Sequence, residues 1–311
     1  MTGGWQPMGD NAVIPDGPSG VDRAAAYWTS QAARYDRWGD LAHGHPRYRN
    51  AWQDALGALA GHPARDGTTP LRVADVGCGT GELALLLAEM GHHVTGYDIA
   101  PGMLERARIN AAAAGPLPGT AEVAAAESRD LPLGAGTADL VTSRMAFWAL
   151  PDPVAALREW RRVLAPGGRI VVIDALHFAT PATGAGRARH RAERAFWSVV
   201  GRLDRRRGSR AGPSPAFGRG DPPLASVAPV RPATPGVAWR SVGEPAAVFA
   251  AADLTGVRVG WLDEVAAAHR STAPLRWRLA GLLPRFYSLT WQADAPSERQ
   301  RNGEGHDDAD R

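Results

Sequence analysis

Apolar and polar positions along the middle of this chain switch between two periods. Short apolar runs rich in β-branched residues predict strands at 71–76, 93–98, 138–143 and 169–174, with a weaker strand near 121–126. The intervening segments 81–90, 101–114 and 152–164 repeat with a helical period. Asp152 can cap the last of these, Pro153 suits its first turn, and Pro166-Gly167-Gly168 makes a turn into the next strand. A helix at 244–252, a strand at 256–262, a helix near 274–283 and a strand at 286–292 complete the pattern, and helical sequence precedes the first strand. Strands alternating with helices in this way build a parallel sheet with both faces covered. The expected fold is therefore α/β: a doubly wound, mostly parallel seven-stranded sheet with helices on both faces.

Two stretches break the pattern. From about 176 to 240 the chain reads as an arginine-rich helical piece followed by GPSPAFGRGDPPLASVAPVRPATPG, a helical and irregular insertion over the site. Residues 1–20 and 295–311 hold too little apolar surface to order themselves, so the domain is expected over 21–294.

Charge and cysteine content narrow the partners. All 35 basic side chains are arginine, yet the formal net charge is only +3, so the balance by itself does not call for a polyanion. The single cysteine, Cys78, permits neither an internal disulfide nor a multi-cysteine metal site, and no metal is expected. No apolar run approaches the ~20 residues that cross a bilayer, and the first residues lack the pattern of a secretory signal, which makes the cytoplasm the expected location.

The chemistry concentrates where the first strand turns into a helix. Val73-Ala74-Asp75-Val76-Gly77-Cys78-Gly79-Thr80-Gly81 places three glycines at that turn, so backbone can approach a ligand without Cβ interference. The next strand returns to the same edge and brings Asp98 beside the loop, where a carboxylate can hold two ribose hydroxyls. A glycine loop with an acid about 20 residues on also describes nicotinamide-dinucleotide binding. Two details favour another cofactor. The glycines run Gly-x-Gly-x-Gly, and Asp75 stands two residues before the first of them, where a carboxylate would repel a pyrophosphate but suits an ammonium.

At this point the chain resembles the class I S-adenosylmethionine (SAM)-dependent methyltransferases, in particular the small-molecule branch of the ubiquinone/menaquinone-biosynthesis type. The resemblance is carried by DVGCGTG, Tyr97-Asp98, Glu127-Ser128 ahead of Leu131-Pro132, Asp139-Leu140-Val141, and LPDPVAALREWRRVLAPGGRIVVID from Leu150 to Asp174, covering roughly residues 25–175. It implies a Rossmann-like methyltransferase sheet and SAM as cofactor, with S-adenosylhomocysteine as product. It also implies roles: Gly77 and Gly79 at the methionine part, Asp98 at the ribose, Ile99 and Met103 at the adenine faces, and Glu127 with Ser128 at the adenine amino group, with Asp75, Cys78 and Gly81 also among the cofactor-binding residues. Arg144 follows the strand at 138–143 where the family's backbone lines the methionine pocket, and Tyr35-Asp36 resembles a lid-helix motif over that end.

The expected reaction is direct SN2 transfer of a methyl group to an O, N or C nucleophile of a small organic acceptor; the leaving thioether is neutral, so positioning supplies most of the acceleration. His177, just past the strand ending at Asp174, is the candidate base, because histidine titrates near neutral pH. Tyr27, Phe147 and Trp148 are candidates for the acceptor side, with packing as the competing role. An RNA acceptor stays open through the arginines between Arg187 and Arg210, though a solvated helix face is the preferred reading of that stretch. An NAD(P)-dependent oxidoreductase and a catalytically silent SAM-binding regulator are the rival classes.

Overall fold

The computed structural model describes residues 18–43, 45–61, 69–176, 242–272 and 285–294. Two helices come first, α1 (Pro18–His43) and α2 (Pro46–Ala60). They are followed by β1 (Arg72–Val76), α3 (Glu82–Glu89), β2 (His93–Asp98), α4 (Pro101–Ala114), β3 (Thr120–Ala125) and β4 (Ala138–Arg144). A short 3-10 turn at Phe147–Ala149 leads to α5 (Pro153–Val163) and β5 (Leu164–Leu176), and then to α6 (Gly243–Ala251), β6 (Arg258–Trp261), α7 (Asp263–Thr272) and β7 (Arg285–Gln292).

The seven strands form one sheet in the order β3-β2-β1-β4-β5-β7-β6. The first five run parallel, and β7 lies antiparallel between β5 and β6. Because helices cover both faces, β1 and β4 read as nearly unbroken buried runs rather than as alternating ones. One face packs Tyr48, Trp52 and Leu56 of α2, Leu83, Leu86 and Leu87 of α3 and Val265 of α7 against Val73, Leu140 and Val171. The other packs Leu157 and Trp160 of α5 and Phe249 of α6 against Val76, Val141 and Val172. Full burial of a side chain the size of Leu157 or Trp160 contributes about 2–3 kcal/mol each, which fixes α5 on the sheet.

Local signals set several boundaries. Asp152 Oδ1 accepts from the Ala155 N–H at 2.9 Å and Pro153 opens α5, as expected from the cap reading. Helix α4 starts at Pro101 and ends before Gly115. Helix α1 crosses α4 closely: the Gly102 N–H donates to Thr29 Oγ1 at 3.3 Å, and a Cβ on Gly102 would stand 2.9 Å from the Thr29 carbonyl oxygen. That close approach lays α1 over the carboxyl edge of the sheet.

Three expectations need adjustment. Strand β5 begins at Leu164 rather than 169, because Ala138 pairs with Leu164 before a register shift carries the ladder past the Pro-Gly-Gly stretch to Leu140–Arg169. Helix α7, at 263–272, was not anticipated, and the helix placed near 274–283 lies outside the described residues. Asp263 and Glu264 in the first turn of α7 and His269 and Arg270 in its last are the signal that could have found it. Helix α1 begins at Pro18, three residues before the boundary expected at 21. The insertion and the C-terminal tail lie outside the described residues.

Candidate functional site

The turn after β1 is held by its neighbour. The N–H groups of Gly77 and Cys78 both donate to the Tyr97 carbonyl oxygen of β2, at 2.8 and 3.0 Å. Gly77 has φ +71°, and a Cβ there would sit 2.4 Å from Ala146 Cβ, so no other residue fits without moving the strand β4 exit. Gly81, also left-handed, starts α3. The loop therefore stays open on the side where α1 passes, and a cleft lies between them.

The cleft collects most of the residues expected of it. Tyr35, Asp75, Gly77, Cys78, Gly79 and Asp98 line it, as do Ile99, Met103, Glu127, Ser128 and Arg144. Gly81 acts from behind as the helix start. Phe147 is not on the lining: it is buried between Trp160 and Phe249, ring centroids 5.9 Å from each, and belongs to the core. Trp148 and Tyr27 also stand off the lining. The Trp148 indole N–H donates to the Met145 carbonyl at 2.9 Å and its ring meets Trp28 edge-on, and Tyr27 also packs edge-on against Trp28. His177 lies outside the described residues.

Trp28, Glu82 and Met145 also line the cleft and were not singled out from the sequence. Trp28 is one α1 turn pair away from Tyr35, with ring centroids 6.1 Å apart, so the aromatic spacing in α1 was the available signal. Met145 adopts φ +57°, a left-handed conformation costly for a non-glycine residue, while its N–H donates to the Ile173 carbonyl at 2.8 Å. Nothing local in the sequence announces that turn.

The electrostatics of the cleft are one-sided. Among the described lining residues there are four carboxylates, Asp75, Glu82, Asp98 and Glu127, and one cation, Arg144, which is ion-paired with Glu82. Glu127 is paired with Arg129. Asp98 accepts the Gly79 N–H on Oδ2 and the Ala100 N–H on Oδ1, both at 2.9 Å, and lines the cleft. Burial pushes its carboxyl above the usual carboxylate range despite those N–H donors.

Asp75 is 1% exposed. Its Oδ1 accepts from Thr142 Oγ1 at 2.9 Å, and its Oδ2 has no hydrogen-bond partner. Burial raises its carboxyl from 3.8 to about 6. Burial also pushes the Cys78 thiol well above its ordinary value, and the charges of Asp75 and Asp98 add to the rise, so the thiol stays protonated and is not a nucleophile.

These features bring a glycine turn and a group of carboxylates together in one cleft at the β1–β2 edge of a Rossmann-like sheet. Residues 74–172 match the family model described as a methyltransferase domain. The chain is 42% identical over 118 residues to a demethylmenaquinone methyltransferase from Thermus thermophilus, covering 37% of this chain and 51% of that protein. It is 35% identical over 162 residues to the ubiquinone/menaquinone biosynthesis C-methyltransferase UbiE of Methylobacterium nodulans, covering 51% of this chain and 62% of that one. The match thus spans between half and two thirds of those relatives. The crystal structure of the [4+2]-cyclase SpnF superposes with a TM-score of 0.51 over 89% of this chain and 97% of its own, at 15% identity, which speaks to the fold alone. Over residues 74–172 the chain is thus similar to the methyltransferase domains of these proteins.

Proposed function

We propose that this protein transfers a methyl group from SAM to a small organic acceptor. The observation that carries the reading is Asp75 Oδ2, a buried and unpartnered carboxylate oxygen on the cleft wall. Leaving such an acceptor unpaired costs about 1–3 kcal/mol, and a ligand ammonium offsets that cost. The same oxygen beside a glycine loop would oppose the two phosphates of a nicotinamide dinucleotide, and the excess of carboxylates on the lining acts in the same direction.

The residues fit the cofactor part by part. Asp75 holds the ammonium, Asp98 takes the two ribose hydroxyls, Ile99 and Met103 cover the adenine, and Glu127 accepts from its amino group. When bound, SAM supplies a methyl group on a sulfonium centre. The protein's own part is to exclude water and align the acceptor along the bond that breaks, since a neutral thioether leaves without needing an acid. Helix α1 roofs the cleft with Trp28 and Tyr35.

Thermal denaturation with S-adenosylhomocysteine, SAM, NAD and NADP added separately tests the reading. A ligand of the native state at 100 times its dissociation constant stabilises by about 2.7 kcal/mol, so an upward shift is expected with the SAM pair alone. A shift with NAD or NADP alone would replace the reading with an oxidoreductase.

A further inference from the structure

Asp75 and Thr142 are register partners on the adjacent parallel strands β1 and β4, and each is 1% exposed. A carboxyl group rotates about its last bond between broad, nearly equivalent wells, so an unassisted aspartate would not present one chosen oxygen to a ligand. Threonine is stiff at χ1, and in a packed strand its hydroxyl has a fixed position. The 2.9 Å bond from Thr142 Oγ1 to Oδ1 therefore sets the plane of the carboxylate and leaves Oδ2 as the oxygen free for the cleft.

We infer that Thr142 is a positioning residue for the cofactor: it aims the Asp75 carboxylate at the cofactor's amino group and holds it in the charged form that an ammonium requires. The inference rests on the SAM reading of the cleft.

The surroundings of Asp75 support the second half. Burial works against its charge, and among the opposing influences the Thr142 hydrogen bond comes first, ahead of the Arg144 guanidinium on the same strand. Asp98 from β2 pushes the other way. Glu82 from α3, Cys78 from the loop and Tyr35 from α1 also line the cleft beside it, but Glu82 is occupied by Arg144, and the Cys78 thiol and Tyr35 phenol are kept neutral by burial. Removing the hydroxyl leaves a buried carboxylate with no hydrogen-bonded oxygen. It then takes up a proton at neutral pH, and a neutral acid no longer attracts an ammonium.

The test uses the full chain and two probes: S-adenosylhomocysteine, which has the amino-acid part, and 5′-methylthioadenosine, which has the same adenosine and thioether without it. Their affinities are measured by calorimetry between pH 6 and 9 for the wild type, Thr142→Val and Thr142→Ser. Thr142→Val should lose at least about tenfold in affinity for S-adenosylhomocysteine at pH 7.5 while 5′-methylthioadenosine binds as before, and the loss should shrink as pH rises. Thr142→Ser, which restores the donor, should restore the preference. Equal losses for both probes, or no loss for either, would overturn the inference, the first by showing a packing role and the second by showing none. A wild type that binds neither probe would instead overturn the SAM reading on which it stands.

Discussion

Strands β1 and β4 carry a buried carboxylate at each end of their shared ladder, and the two ends are treated oppositely. At the amino end Asp139 is 3% exposed and fully engaged: Arg72 donates to it from Nε and Nη2, both at 3.0 Å, and from its backbone N–H at 2.9 Å. At the carboxyl end, three residues along each strand, Asp75 is equally buried but receives one hydrogen bond and keeps one oxygen open. A protein selected only for stability would satisfy both ends alike. On the proposed reading the unsatisfied end is where a ligand completes the structure, and the satisfied end shows what a structural acid looks like in the same two strands.

The largest effect that would break this contrast is at Asp98, the other acid of the carboxyl edge. On the proposed reading Asp98→Ala removes the acceptor for two ribose hydroxyls, so affinity for S-adenosylhomocysteine should fall by at least roughly 100-fold in calorimetry. Because the ribose is common to both probes, 5′-methylthioadenosine should weaken with it, whereas a change at Asp75 should spare that probe.

Asp75→Asn should move stability and binding in opposite directions. The folded protein holds the Asp75 proton up to about pH 6, against 3.8 for the free side chain, so charging it in the native state costs about 3 kcal/mol at neutral pH. Asparagine keeps an oxygen for Thr142 and removes the charge. Urea denaturation at pH 7.5 should show a gain of up to about 3 kcal/mol, accompanied by loss of S-adenosylhomocysteine affinity. A destabilised variant would mean that the carboxylate is structural after all. Arg72→Ala makes the converse change at the other end: it should cost about 2 kcal/mol, moderated because the guanidinium is half exposed, and leave cofactor affinity untouched.

How much of this was legible beforehand depends on how far apart the partners lie in sequence. The β1 strand, its glycine turn and Asp98 sit within 27 residues, and their meeting at one edge follows from local pattern. Helix α4 was placed to the residue because Pro101 and Gly115 mark its ends. The Thr142–Asp75 bond joins residues 67 apart and becomes visible only when the strand order β1-β4 is known. The left-handed turn at Met145 carries no glycine to announce it, and the same turn sends Phe147 inward to the core rather than outward to an acceptor. Helix α1 was expected as a lid, but which aromatic residues face the cleft depended on the close crossing at Gly102.

The smallest predicted effect sharpens the comparison by separating it from acid sensitivity elsewhere. His269 of α7 is tucked between the rings of Tyr48 and Phe286, at centroid distances of 5.1 and 6.1 Å, with Nδ1 lacking a partner. Burial lowers its value from 6.5 to about 4. Between those values the unfolded chain takes up a proton that the folded one refuses, so stability is lost as pH falls from 6.5 toward 4, by about 2 kcal/mol at pH 5. Asp75 works in the other direction over much of the same window, because there the folded state binds the proton more tightly, and it adds about 1 kcal/mol between pH 7.5 and 5. The wild type therefore shows only the difference. On going from pH 7.5 to 5 in urea titrations, His269→Phe should lose about 2 kcal/mol less than the wild type and Asp75→Asn about 1 kcal/mol more. If Asp75→Asn changed nothing in this window, the open carboxylate would already be neutral-insensitive, and the contrast between the two ends of the ladder would lose its electrostatic half.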